Sequence, residues 1–449
     1  MTLQTVPRAN DRPAVSKLRP ADAGGLRRFL FSATVVFCWL YFYRPEDFIP
    51  GLTHIPMAKI VGIIAMVALF IGMMGGGQWK MPRAIKILWL LLAQMMLCIP
   101  FAIWRGGAFS TVVDKISKGI VMATLISMAV TTVKEIRKLL WIQVSAVALV
   151  TIVSILVGHS RDGRLEGVQK SILENPNDLA INIAISFPLG VAFMLHAKGG
   201  VKKAVWAIAL LFMGLGIVLT YSRSGLLAFI LTIIVCIWEY GIKGKRRSLV
   251  IGTAMVFILG LAAALSTSHY RARVESILLG NIEGSHDKGS LEARKALLRK
   301  SINVAFTHPL FGVGPGCFVL VDKGWVVAHN TYTELAAEAG IPALILFLMA
   351  MAASFRNLAV MRKSRHYQED PEFKLFTQAI GAGLVAYLAG ACFASTEYLM
   401  YTYLLVAYTC AMVGITTQEL PSPAETSGGQ RLTRYKYDRV PRPQPVGVR

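Results

Sequence analysis

Apolar runs, many of them near the roughly 20 residues a helix needs to cross a bilayer, recur from Phe29 to Ile415 with short polar connections between them. The pattern places spans near Phe29–Tyr43, Pro56–Met74, Ala84–Ile103, Ile116–Thr131, Leu139–Val157, Leu179–Leu195, Ala204–Thr220, Gly225–Tyr240, Leu249–Leu265, Thr331–Phe355, Leu375–Ala394 and Tyr398–Ile415, about twelve in all. None of them alternates polar with apolar positions, which excludes a membrane β-barrel. The expected fold is an all-α polytopic membrane protein, with a single transmembrane domain over residues 29–417. One long hydrophilic connection, residues 266–328, is expected to carry short helices. Residues 1–28 and 418–449 are polar, basic and Pro-containing, and are predicted to be disordered tails.

Charge orients this arrangement. The chain has 449 residues, is 55% hydrophobic and carries a net charge of +22. That excess could suggest nucleic acid, but the basic residues sit in an orderly way between apolar runs. Lys80/Arg83/Lys86, Lys134/Arg137/Lys138, Lys198/Lys202/Lys203, Lys243/Lys245/Arg246/Arg247 and Arg362/Lys363/Arg365 fall in alternate turns, on the same side as both tails. By the positive-inside rule that side is cytoplasmic. Residues 266–328 then lie outside, away from any nucleotide supply, so a reaction there must use a donor that is already activated. The N-terminus shows no cleavable signal, so the first helix is expected to be a retained anchor. Cys38, Cys98, Cys236, Cys392 and Cys410 lie in or beside apolar runs and Cys317 stands alone in the long connection, a spacing with no disulfide framework or zinc site.

Ionisable residues gather where spans meet the outer face: Lys59, Asp114, Lys115, Asp178, Arg223, His329, Glu334, Glu338 and Glu397. Such residues are costly in spans and tend to be functional. A transporter would keep some at the midplane in broken helices; a ring at one edge favours an interfacial enzyme with a lipid substrate. His329 has an unperturbed pKa suited to general-base work, or it anchors a helix start. Asn330 suits an N-cap. Glu338, buried if its helix is continuous, needs a cationic or hydrogen-bonding partner. In the long connection Leu291, Leu298, Ile302 and Ala305 share a helical face that includes Arg294; a buried arginine requires an anion, either a structural glutamate or a substrate phosphate. Arg223 occupies the tight turn Tyr221–Ser224, where it snorkels to solvent or binds phosphate. Arg161 and Arg164 lie in another outer loop, before Asn177 or Asp178 caps the next helix. Gly312-Val313-Gly314-Pro315-Gly316 has no lysine behind it and is read as a turn, and no motif offers a metal site.

Ser222-Arg223-Ser224-Gly225, His308-Pro309-Leu310-Phe311-Gly312-Val313-Gly314, and His329-Asn330 followed by Glu338 and Gly340 occur in that order over about 163–348. In this the chain resembles the bacterial O-antigen ligase and polymerase superfamily. The resemblance implies an inner-membrane glycosyltransferase of lipopolysaccharide or exopolysaccharide assembly. Its donor would be an undecaprenyl-diphosphate-linked glycan and its acceptor a glycan or the lipid A core, met at the periplasmic face without metal, ATP or other cofactor. His329 takes the place of the family's base, and Arg223 and Arg294 those of the diphosphate-binding arginines; Asn330, Glu338, Arg161 and Arg164 are possible supporting residues. Where ligases continue past the glycine with Gly, Thr or Tyr, this chain has Ala343, which favours polymerase over ligase. A protein O-oligosaccharyltransferase, or a lipid-linked glycan flippase or exporter, is the competing expectation.

Overall fold

The computed structural model describes residues 22–45, 56–74, 79–158, 160–161, 164–167, 175–244, 252, 286–321 and 326–417. The first helices are α1 (Asp22–Tyr43), α2 (Met57–Met74), α3 (Arg83–Cys98), α4 (Arg105–Ser110) running through a π turn into α5 (Ser117–Ala129), α6 (Val133–Val157), α7 (Pro176–His196), α8 (Gly200–Leu219) and α9 (Arg223–Cys236). Then come α10 (His286–Thr307), α11 (Phe318–Val321), α12 (Thr331–Lys363), α13 (Arg365–Glu369), α14 (Pro371–Ala391) and α15 (Met400–Thr416). Among the described residues nine helices are long and apolar enough to cross a membrane, and Met400–Thr416 is a shorter apolar helix. The expected span Leu249–Leu265 lies outside the described residues. The long connection is also less broken than expected: α10 alone has 22 residues.

Local chemistry sets the helix ends. Thr132 and Glu135 form a reciprocal capping box at the start of α6, and Gly158 closes it in the left-handed conformation (φ 72°). Pro176 and Pro371 occupy first turns, where the missing N–H costs nothing. The cap of α7 is Asn175, whose side chain accepts from Asn177 N–H at 2.8 Å. Asn177 and Asp178, expected as caps, sit two and three residues further in, within the first turn, and Asn177 Oδ1 accepts from Arg164 and Ser222 instead. Among the described residues the one departure from an all-α fold is a hairpin of two-residue strands, β1 (Ser160–Arg161) and β2 (Arg164–Leu165), pairing Arg161 with Arg164.

Burial separates central from peripheral helices. In α7 and α14 about four fifths of the residues are inside the protein, against 28% in α2 and α8. α7 packs on α14, α8 and α9; α15 packs on α5; and α12 packs on α3 and α10. Polar pins cross the centre: Tyr408 Oη donates to Gln143 Oε1 (2.7 Å) and Gln143 Nε2 to Ser186 Oγ (3.3 Å).

The two ends of the bundle differ in chemistry. At one end the lysine- and arginine-bearing turns meet buried or half-buried acids: Arg27 with Glu135 (3.2 Å), Arg137 with Glu372 (3.1 Å), and Arg362 with Glu239 (3.0 Å). Glu239 also takes Lys243 at 3.2 Å. At the other end, residues from the close of α1 and the starts of α2, α5, α7 and α12 surround a polar cavity.

Candidate functional site

The chain enters α12 through a segment stapled to residues 392–396. Ala328 N–H donates to Glu334 Oε2 (3.0 Å), His329 N–H to Ser395 Oγ (3.1 Å) and Thr331 N–H to Ala394 O (3.0 Å). Ser395 Oγ in turn donates to Glu334 Oε2. Asn330 is the N-cap the sequence suggested: its Oδ1 accepts from Tyr332 and Thr333 N–H, and its Nδ2 donates to Cys392 O at 2.9 Å. These bonds hold His329 in the left-handed region (φ 56°). A non-glycine residue there costs about 1–3 kcal/mol and persists only where its surroundings over-determine it.

Glu338, one turn beyond Glu334, is 1% exposed. Its Oε1 accepts from Phe318 N–H and its Oε2 from Gly316 N–H, both at 2.8 Å; Tyr398 Oη also donates to Oε2. Its partners are thus hydrogen-bond donors, chiefly the backbone of the 314–318 loop. The helix is not continuous past it. Gly340 (φ 81°, ψ 167°) interrupts α12, with Pro342 just beyond. The 308–316 loop supplies the hydrogen bonds the break removes: Val313 N–H donates to Ala337 O and Gly314 N–H to Glu338 O, both 2.9 Å, and Ile341 N–H donates to Pro309 O at 2.8 Å. This is why the loop carries glycine where it does. A Cβ at Gly312 would stand 2.3 Å from the Glu338 carbonyl carbon, and one at Gly340 2.3 Å from Leu310 O. The glycine-rich turn is a brace for the start of α12.

α10 docks on the same start of α12 through Ser301 Oγ, which donates to Thr333 Oγ1 at 2.8 Å. Its inward face is Leu297, Ser301, Val304 and Ala305, whereas Ile302, expected inside, is exposed. Arg294 does lie on the inward face and is half-buried. Its charge reaches His329: burial first, and Arg294 second, pull the imidazole pKa down to about 4. The ring is therefore a neutral free base at physiological pH, and a weaker proton acceptor than an unperturbed histidine.

The neighbouring cavity, about 810 Å³, gathers seven of the nine residues the sequence placed at the outer edge: Lys59, Asp114, Lys115, Asp178, Glu334, Glu338 and Glu397. Arg44, Lys118, Ser395 and Tyr398 line it too and were missed, although the polar run Ser395-Thr396-Glu397-Tyr398 between two apolar spans is a visible signal. Lys59 pairs with Asp114 at 3.6 Å. Glu397 is 1% exposed and both its carboxyl oxygens are buried without a hydrogen bond. Burial, then Glu334 and Glu338, pushes its pKa well above the usual carboxylate range, and the nearby Thr331 hydroxyl only partly offsets this.

The turn bearing Arg223 is fixed beside the cavity wall. Ser222 caps α9, with Gly225 N–H donating to Ser222 Oγ at 3.2 Å. Ser222 Oγ donates to Asn177 Oδ1 (2.8 Å), next to the cavity-lining Asp178. Arg164 clamps the same junction, through Nε to Thr220 O and Nη2 to Asn177 Oδ1, both 3.0 Å. It buttresses the turn. Arg161 enters through its backbone, paired with Arg164 in the hairpin.

A family model described as "O-Antigen ligase" matches residues 208–348. No curated protein matches the chain. Among solved structures, a chain from "Structural coordination of polymerization and crosslinking by a peptidoglycan synthase complex" is similar at 14% identity and a TM-score of 0.42. That likeness covers 74% of this chain and 95% of the other, and is too slight to say what this chain does. The matched residues hold the Ser222–Gly225 turn, the 308–316 brace, His329 and Glu338. Over residues 208–348 the chain is thus similar to the O-antigen ligase family.

Proposed function

We propose that the protein is a periplasm-facing inner-membrane glycosyltransferase. It moves a glycan from undecaprenyl diphosphate to an acceptor hydroxyl, as an O-antigen ligase or a surface-polysaccharide polymerase. The observation that carries the reading is the placement of His329. It is a neutral imidazole in a strained, hydrogen-bond-fixed backbone, under the charge of Arg294 and one hydrogen bond from the Ser395 hydroxyl that lines the polar cavity.

In this reading the acceptor sugar sits in the cavity, and Arg294 with Arg223 grips the diphosphate. The acceptor oxygen attacks the anomeric carbon, His329 takes its proton, and the carbon–oxygen bond to the diphosphate breaks with its electron pair leaving on undecaprenyl diphosphate. The sugar carbon inverts. Donor binding also prepares the base. A diphosphate on Arg294 offsets the charge that depresses the imidazole, and so raises its proton affinity when a proton is to be moved. A flippase would need a polar path through the bundle. The layer beyond the glutamates is instead filled by fully buried side chains such as Phe347, Tyr387 and Leu404, which supports an enzyme.

The test is reconstitution of the purified protein in liposomes with a polyprenyl-diphosphate glycan and acceptor, without ATP or metal. Glycan transfer is expected, and its absence with a competent donor and acceptor would overturn the proposal. Surface glycans of a deletion strain then separate the two forms. A complete lipid core without polymer indicates ligase; single capped repeats indicate polymerase.

A further inference from the structure

A second cavity, about 1200 Å³, lies between α1, α6, α7 and α8 and shares no lining residue with the first. One end of it is basic. Arg137, Lys138, Lys198 and Lys202 line it, together with His196 and no acidic residue. The acid in contact with these groups is Glu372, divided between Arg137 (3.1 Å) and His196 (3.7 Å), which leaves an excess of positive charge. The start of α8 opens into the same corner. Its N-cap, Gly199, provides no side-chain cap, and Val201 and Lys202 of its first turn line the cavity, so its field adds to the attraction for an anion.

The rest of the cavity is apolar and open to the membrane side of the bundle. Trp39, Trp141, Leu149, Val201 and Val205 are each 43% exposed or more, and Trp206 stacks on Phe193 with centroids 5.0 Å apart. Along α6 the lining runs from Arg137 to Ile152. That is about 22 Å at 1.5 Å per residue, more than the ~15 Å depth of one leaflet's hydrocarbon. Tryptophans near the charged end suit the headgroup level, and basic pockets between spans suit phosphate headgroups.

We propose that this groove is a binding site for an anionic glycerophospholipid. Its phosphate rests among Lys138, Lys198 and Lys202 at the start of α8, and its acyl chains lie along α6 and α8. The ligand belongs to the leaflet at the basic end of the bundle, opposite the cavity proposed for glycan transfer. A zwitterionic lipid has chains to match but no net charge for the lysines; a free phosphate has the charge but leaves the apolar wall uncovered.

The test is native mass spectrometry of the full chain, delipidated and then titrated with phosphatidylglycerol, cardiolipin, phosphatidylethanolamine or glycerol phosphate, alongside thermal melting. The anionic lipids are expected to remain bound, and to raise the melting temperature, at concentrations at least tenfold below phosphatidylethanolamine. The triple variant Lys138→Gln, Lys198→Gln, Lys202→Gln should melt as wild type when delipidated and lose that preference at least tenfold. Equal retention of phosphatidylethanolamine, an unchanged preference in the variant, or full stabilisation by glycerol phosphate alone would each overturn the proposal. So would a dimer that excludes lipid and dissociates in the variant, because the groove would then be covered by a second copy.

Discussion

Replacing Glu338 by Ala tests how the start of α12 is held. The side chain satisfies three donors at once, Gly316 N–H, Phe318 N–H and Tyr398 Oη, in a setting 1% exposed. A buried donor left without a partner costs about 1–3 kcal/mol. Gly316 N–H keeps a second acceptor in Tyr398 Oη at 3.0 Å, so Phe318 N–H and the Tyr398 hydroxyl set the loss at about 2 kcal/mol or more. Phe318 N–H lies deeper and takes its full cost. Glu338→Gln keeps one acceptor oxygen for Phe318 but turns an amide NH₂ toward the Gly316 N–H, so about one hydrogen bond is lost. The expected order of melting temperature in detergent is wild type, then Gln, then Ala. Limited proteolysis should cut the Ala variant first within residues 308–321, where the brace is released from α12. A Glu338→Ala protein that melts with wild type and resists cleavage there would refute the bracing account.

Arg294→Gln removes one of the two causes that depress His329, so the acidic limb of the kcat/KM profile should move upward from about 4 toward the ordinary histidine range. The base works deprotonated, so activity falls as pH drops through that limb; a limb that stays in place would remove Arg294 from the site. Gly340→Ala puts a Cβ 2.3 Å from Leu310 O at φ 81°, a strain of about 1–3 kcal/mol before the clash is relieved, and should lower both folded yield and melting temperature. Glu397→Gln replaces a carboxyl whose pKa burial and the neighbouring Glu334 and Glu338 raise with a neutral isostere. Its melting temperature should stay close to wild type, whereas a large drop would show that the carboxylate is ionised in the folded protein.

Nine of the expected spans were legible because crossing a bilayer forces long apolar runs, and charge at their ends marks the turns. Asn330 was legible because a short polar side chain before an apolar helix has few other uses. The break at Gly340 was not. Inside an apolar run a glycine and a proline two residues apart read as tolerated defects until a distant loop, residues 308–316, is seen to replace their hydrogen bonds. The inward face of α10 was half right. Ser301 is buried because Thr333 takes its hydroxyl, and no periodicity of apolar residues announces a serine in that role. The polar cavity followed the same logic. Most of its charged members were visible one by one at helix ends, but residues 44, 59, 114, 178, 334 and 397 come together only through packing, and Ser395 and Tyr398 were marked only by the short polar run between two apolar spans.

The central claim is that His329 accepts the acceptor's proton. Its most direct test is single-turnover glycan transfer by His329→Ala in liposomes, with donor binding and melting temperature measured on the same preparation. General-base catalysis is worth about 10²–10⁴-fold. The variant is therefore expected to bind donor and melt as wild type while transferring at least 100-fold more slowly. Transfer at the wild-type rate would contradict the account.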